Sequence, residues 1–238
     1  MEKFDNIIEH LRKNELQNIN VICFIENNQI SDMKLIGNSV LVRGTSDRDW
    51  IYIKCSSLED LKLIKAELTQ RDENFGAIED WMIPTLLEGR KLCWKLECEQ
   101  YYLPKHIELP NPKYITTQLS LRDVTTVYDN STYKDYISKD YIADRIERGI
   151  SVGINENGRL VAWGMTQDDG GLGFLHVLDS YRRKGYGYSI TISLIEAVRE
   201  RGKIPFTYVE ENNHQSKNLI KKLKFTFQKK IQWFQAKQ

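Results

Sequence analysis

Apolar residues three and four apart mark helices in this chain, and alternating ones mark strands. Phe4, Ile7, Ile8 and Leu11 put one apolar face on residues 3–13, which predicts an amphipathic helix. Strand-like runs follow at Asn20 to Glu26, Ser39 to Arg43 and Trp50 to Cys55, separated by turn-forming segments at 27–29 and 45–49. Ser56 and Glu59 have capping-box spacing, and Leu61, Ile64 and Leu68 form one stripe, so a helix is expected over 58–70. Phe75, Ile78, Trp81 and Met82 are again helically spaced, with Pro84 to break the segment. Leu92, Trp94, Leu96 and Cys98 alternate with Lys95, Glu97 and Glu99 as a half-buried strand does.

The second half follows a similar alternation. Residues 136–148 read as a helix with Ile142 and Ile146 on one side and Gly149 as its stop, whereas 123–135 is polar and carries no clear period. Two strands joined by Asn157-Gly158 come next, and 168–171 (Asp-Asp-Gly-Gly) turns the chain into a third strand, Leu172 to Leu178. A long helix over about 186–201 is apolar on more than one side, as a mostly buried helix should be. A strand at 204–209, a short helix at 216–224 and a terminal strand or pair of strands from Phe225 to Trp233 complete the pattern. The order predicts an α/β fold, a mixed sheet flanked by helices, behind a smaller N-terminal α+β part.

Three of the five prolines, Pro104, Pro110 and Pro112, fall in the segment 103–113. The domain boundary is expected there, giving an N-terminal domain over 1–103 and a C-terminal one over 114–238. With 238 residues, 41% of them hydrophobic and 28% charged, the chain can build sizeable cores. A formal net charge of +1 argues against a partner that is mainly a nucleic-acid backbone. No apolar run reaches a membrane span, and Cys23, Cys55, Cys93 and Cys98 are scattered without paired spacing, so a reduced, cytosolic setting is expected. Cys93 and Cys98 have opposite parity on their strand, which excludes a metal site with His106.

The chemistry concentrates in 172–187, LGFLHVLDSYRRKGYG. A buried strand runs through a basic loop, Arg182, Arg183 and Lys184, into a helix that opens on Gly185, Tyr186, Gly187 and Tyr188. The first amides of a helix lack intrahelical acceptors and sit at the positive end of its dipole, so an anion is the natural guest. Arginine suits bidentate phosphate contacts and lysine adds a point charge.

Strand, R-x-x-G-x-G, helix, second strand and then Asn213-x-x-Ser216 together resemble the acetyl-CoA-binding core of the GNAT superfamily of N-acetyltransferases. From about Tyr141 to Phe225, through LVAWGM, LHVLDSYRRKGYG and YVEENNHQS, the chain is similar to glycine N-acyltransferase-like proteins. The resemblance implies acetyl-CoA, or another short acyl-CoA, as co-substrate, without a metal. It implies that the loop from Arg182 to Tyr188 holds pyrophosphate, that backbone near Val177 and Leu178 and the side chain of Asn213 meet the pantetheine, and that the Val177 amide polarises the thioester. Ser216 joins that set or caps the helix beside it.

Two expected residues are missing. The resemblance implies a tyrosine acid where this chain has Ile220, and a glutamate base near what is here Gly171. His176 is then the candidate base, with Asp168 and Asp169 next door. The expected activity is transfer of an acyl group from acyl-CoA to a primary amine of a small molecule, with a non-catalytic acyl-CoA-binding or regulatory module as the alternative. A nucleic-acid reading of the lysines from Lys217 to Lys230 is set aside on net charge.

Overall fold

A computed structural model describes residues 4–238 of the chain. The helices are α1 (Asp5–Arg12), α2 (Glu15–Asn27), α3 (Leu58–Ala66), α4 (Ile83–Leu87), α5 (Val124–Asp129), α6 (Lys139–Arg148), α7 (Tyr186–Glu200) and α8 (His214–Lys222). The strands are β1 (Gln29–Ile36), β2 (Ser39–Thr45), β3 (Asp49–Lys54), β4 (Asn74–Glu79), β5 (Lys91–Tyr102), β6 (Ser151–Glu156), β7 (Arg159–Thr166), β8 (Leu172–Val177), β9 (Phe206–Glu210) and β10 (Thr226–Lys237). Each half of the chain runs through the same order of two helices, three strands, a helix, a strand, a short helix and a strand. The expected mixed α/β architecture is therefore present, and its elements recur.

The chain forms two compact units. The first holds the residues up to Gln100 together with Val209–Asn213 and Phe227–Gln238, and the second holds Tyr101–Tyr208 and His214–Thr226. In the first, strands lie in the order β1-β2-β3-β4-β10-β5. The pairs are antiparallel from β1 to β3, parallel between β3 and β4, and antiparallel between β4 and β10. Helix α2 covers one face, where Phe24 meets Tyr52 with ring centroids 4.3 Å apart. Leu61 and Ile64 of α3 and Leu86 of α4 pack on the other with Ile51, Ile53, Phe75 and Ile78. The last strand belongs to this core, because Phe234 stacks on Phe75 at 4.7 Å.

Several elements here differ from expectation. The run Asn20 to Glu26 lies inside the helix α2, not in a strand: Ile19 to Phe24 are all buried, so no polar face betrays the helical period. Phe75 to Glu79 is strand β4, buried on both faces, and only Ile83–Leu87 is helical, with Pro84 in the first turn where its missing N–H is harmless. Strand β1 was not anticipated; its pattern is mostly half-exposed, with Met33 alone buried. Helix α3 is capped by Ser57, whose side chain accepts the Asp60 N–H at 3.1 Å, one residue later than the predicted Ser56 box. The expectation for residue 3 lies outside the described residues.

The second unit holds β6, β7, β8 and Phe206–Tyr208 of β9, neighbours in the order β9-β8-β7-β6. Asn157 and Gly158, at φ +51° and +76°, turn the β6–β7 hairpin as expected. Helix α7 lies on the Gly164 face of the sheet, where a Cβ at residue 164 would come within 2.9 Å of Ile190 and Leu194. Ile142 and Ile146 of α6 cover the opposite face with Trp163, Met165 and Leu119. Helix α6 starts at Lys139, three residues after the expected Tyr136, because Ser138 caps it by accepting the Tyr141 N–H at 3.0 Å. The proline-rich segment is tied to α7: Arg199 donates to the carbonyls of Ile107 (2.8 Å) and Pro104 (3.0 Å).

Phe234 is 1% exposed, so Phe234→Ala should cost about 3–5 kcal/mol in urea unfolding. A loss under about 1 kcal/mol would mean that the chain end does not complete the first unit's core.

Candidate functional site: a strand edge and a helix start

Strand β8 is irregular on one edge and uncovered on the other. Against β7 its register slips between Trp163↔His176 and Met165↔Gly173, so Phe174 and Leu175 together oppose Gly164. Phe174 takes φ +52°, a left-handed conformation that a phenylalanine adopts only where the surroundings impose it. Against β9 the parallel ladder has one pair, Leu172↔Thr207, reinforced by the Thr207 hydroxyl donating to the Leu172 carbonyl at 2.8 Å. Among the described residues, β8 has no ladder partner on that side from Gly173 onward.

Backbone groups of successive strand residues point to alternate edges. The Leu178 N–H donates to Val161 at 2.9 Å, on the β7 side, so the Val177 N–H points to the uncovered edge. The Val177 carbonyl, on the same edge, accepts Arg182 Nε at 3.1 Å. The backbone donor that the resemblance assigns to the thioester is therefore on the edge away from β7.

The loop after β8 turns through Asp179–Tyr181 and reaches α7 in a fixed conformation. Arg182 pairs with Asp179 at 2.8 Å, Lys184 donates to the Ser180 carbonyl at 3.0 Å, and Arg183 is exposed at φ +62°. Gly185 takes φ +99°, which excludes other residues at low cost, and no side chain caps the helix it precedes. The first bond of the helical ladder is Ser189 N–H to the Gly185 carbonyl, at 3.1 Å. Unlike α3, which opens on a serine cap with Glu59 and Asp60, α7 has no acidic residue in its first turn. A Cβ at Gly187 would meet only Val177 Cγ2, at 3.5 Å, so the approach to this turn is clear.

A second segment braces the loop. The Ser189 hydroxyl accepts the N–H groups of Lys113 and Tyr114 at 3.1 and 3.3 Å, and the Tyr114 hydroxyl donates to the Lys184 carbonyl at 3.0 Å. The Tyr114 ring stacks on Tyr186 with centroids 4.1 Å apart, and Tyr186 donates to Glu156 at 2.8 Å. That carboxylate, with burial and Tyr114, holds the Tyr186 phenol protonated well above the usual range. From α8, Lys222 sets its ammonium 4.6 Å from the centre of the Tyr188 ring. None of these bracing contacts was visible in the sequence, because they join residues 30 to 76 apart.

The structure thus gathers Val177, Leu178 and 182–188 in the second unit. Asn213 falls in the first unit, directly before α8, with its N–H donated to the Glu210 carbonyl at 3.0 Å. Ser216 is the third residue of α8, within the helix and not its cap. His176 is half-buried, its ring stacked on Trp163 at 4.6 Å. Burial and the Arg182 guanidinium, against a smaller pull from Asp179, lower its pKa, so it is neutral at pH 7.

Asp168 and Asp169 do more than turn the chain. Asp168 accepts the Tyr141 hydroxyl at 3.0 Å, and Asp169, 1% exposed, accepts the Tyr208 hydroxyl at 2.6 Å and the Gly171 N–H at 3.1 Å. Burial and the adjacent Asp168 push the Asp169 pKa up to about 7, against the hydrogen bonds from Tyr208 and Gly171. Among the described residues there is no cluster of metal-ligating side chains, and no helix is long and apolar enough to cross a membrane.

Residues 149–234 match the family model described as FR47-like protein. A Drosophila protein of solved structure is similar over 83% of this chain and 73% of its own, with 16% identity and a TM-score of 0.70. A GCN5-related N-acetyltransferase from Kribbella flavida matches over 93% of this chain and 94% of its own, with 11% identity and a TM-score of 0.57. An acetyltransferase of the GNAT family from Colwellia psychrerythraea matches over 83% and 81%, with 16% identity and a TM-score of 0.53. No curated protein matches the sequence. At these identities the likeness establishes the fold, which is that of the GNAT acetyltransferases.

Because its folded pKa is raised, Asp169 contributes stability that is full below the unfolded value and is lost as pH rises through about 7. Asp169→Asn should remove that loss, so its melting temperature relative to the parent should climb between about pH 4 and 7. Parallel profiles for the two proteins would show that Asp169 ionises normally.

Proposed function

We propose that this protein transfers an acyl group from acetyl-CoA, or another short acyl-CoA, to a primary amine of a small molecule. The carrying observation is the conjunction, in one unit, of β8's uncovered edge at Val177 with the uncapped, glycine-bearing start of α7. The amides of Gly185 to Tyr188, with Arg182, Arg183 and Lys184, suit a pyrophosphate, and the clear space at Gly187 leaves it room. The Val177 N–H, on the edge away from β7, is the proposed donor to a developing oxyanion on the thioester carbonyl. Ser216, near the start of α8 in the same unit, is a proposed contact of the pantetheine arm. No metal is required.

When bound, acyl-CoA supplies a thioester that an amine can attack directly; the chain's part is to hold it and to accept the amine's proton. His176, neutral and on the same strand, is one candidate acceptor. The similarity of 141–225 to glycine N-acyltransferase-like proteins supports a small amine or amino acid as acceptor, and the four free cysteines support a reducing, cytosolic setting. Ile220 and Gly171, in the places where the resemblance implies an acid and a base, favour the second reading of an acyl-CoA-binding module.

Coenzyme A at 100 times its dissociation constant should add about 2.7 kcal/mol to stability, read as a rise in melting temperature. Gly187→Val should abolish that rise while the unliganded protein melts near the parent temperature, because the residue has room for a Cβ. No shift of the parent at millimolar coenzyme A would overturn the reading, and an unchanged shift in the variant would put the phosphates elsewhere. Release of free thiol with an amine panel separates transferase from binding module.

A further inference from the structure

Where β8 and β9 part, a phenol and a buried carboxyl stand together. Tyr208 directly follows Thr207, the residue that makes the single pair between the strands, so it stands at the apex of the split. Its hydroxyl donates to Asp169 Oδ2 at 2.6 Å, while Asp169 Oδ1 is held by the Gly171 N–H. The Tyr208 ring lies directly over residue 171: a Cβ there would be 2.6 Å from Cε2 and 3.0 Å from Cδ2. Glycine at 171 is therefore the condition for the phenol to reach Asp169. The Phe206 ring meets Tyr208 edge-on, centroids 5.6 Å apart, and fixes it from the same strand.

We propose that Tyr208 accepts the amine's proton in the acyl transfer, and that Asp169 is the positioning residue that orients the phenol and takes up its proton in the same step. The proposal rests on the acyl-transfer reading above. As the amine nitrogen bonds to the thioester carbon and the carbon–sulfur bond breaks, an N–H proton passes through intervening water along the open edge of β8 to Tyr208 Oη. The phenolic proton moves to Asp169 Oδ2, and the departing thiolate is protonated from solvent. Asp169 later returns its proton to solvent through Tyr208, so charge and protons balance over a turnover.

The surroundings favour this carboxyl over the imidazole. Protonating His176 creates a cation beside Arg182, whereas protonating Asp169 removes a buried negative charge beside Asp168. A carboxyl near neutrality is matched to a proton that must be both taken and returned at physiological pH. The charged and titratable groups facing it are Asp168, Tyr208, and Tyr141 and Arg145 on α6; Arg145 only partly offsets the effect of Asp168.

The test compares thiol release from acetyl-CoA with an amine panel in the parent, Tyr208→Phe and Asp169→Asn, with coenzyme A binding followed by thermal shift. Tyr208→Phe, which keeps the ring over Gly171, should lower kcat about 100-fold or more with coenzyme A binding unchanged. Asp169→Asn should also lose the acidic limb near pH 7 from the kcat/KM profile, which a merely structural role would not move. Turnover of Tyr208→Phe within threefold of the parent, or a limb that persists in Asp169→Asn, would overturn the proposal alone. A parent that binds coenzyme A but releases no thiol overturns the transferase reading and this proposal together. Where Asp169→Asn does not fold, Tyr208→Phe decides.

Discussion

One rung of parallel sheet, Leu172 against Thr207, is the constraint on which the site depends. A ladder that continued would satisfy the edge of β8 with β9 backbone and leave nothing for a ligand. Because it stops, the polar groups from Gly173 to Val177 must find other partners. The Val177 carbonyl takes the Arg182 guanidinium, which draws the basic loop toward the strand, and the Val177 N–H stays aimed at the open edge. The same ending places Tyr208 beside Gly171 and Asp169. The proposed anion site, carbonyl-polarising amide and proton route thus all lie around the point where two strands separate.

The first unit is a control provided by the chain itself. It repeats the element order and also has a short parallel pairing, Ile51↔Phe75 and Tyr52↔Gly76, between β3 and β4. Beyond those pairs lie buried ammonium and carboxylate groups. Lys229 pairs with Glu79 at 2.9 Å, and Lys54 lies 3.7 Å from the same carboxylate. Burial, then Lys229, drive the Lys54 pKa well down. The helix that follows opens on Ser57, Glu59 and Asp60, which satisfy or repel what an anion would otherwise meet. The fold alone therefore does not make the proposed site; the glycine turn and the charge of the loop set the second unit apart.

Much of the second unit was legible in the sequence because its signals are local. The Asn157-Gly158 turn, the buried α7 and the glycines at its start each act within a few residues of where they are read. What was missed needed distance or context. Buried helix α2 hides its period among Val21, Ile22, Cys23 and Phe24, and β4 imitates helical spacing because both its faces are covered. The bulge at Phe174 has no sequence marker, and Tyr208 meets Asp169 across 39 residues. Asp169 was read as a turn residue, which it also is, through its bond to the Gly171 N–H.

The proposed ligand meets the second unit through backbone amides, and amide chemical shifts report on that directly. Titration of isotope-labelled protein with coenzyme A, followed by acetyl-CoA, should perturb the amides of Gly185, Tyr186, Gly187 and Tyr188 with both ligands. The Val177 amide should respond further to the acetyl thioester. Perturbations confined to the start of α3, or a Val177 amide indifferent to the acetyl group, would contradict the claim that the separation of β8 from β9 creates the site.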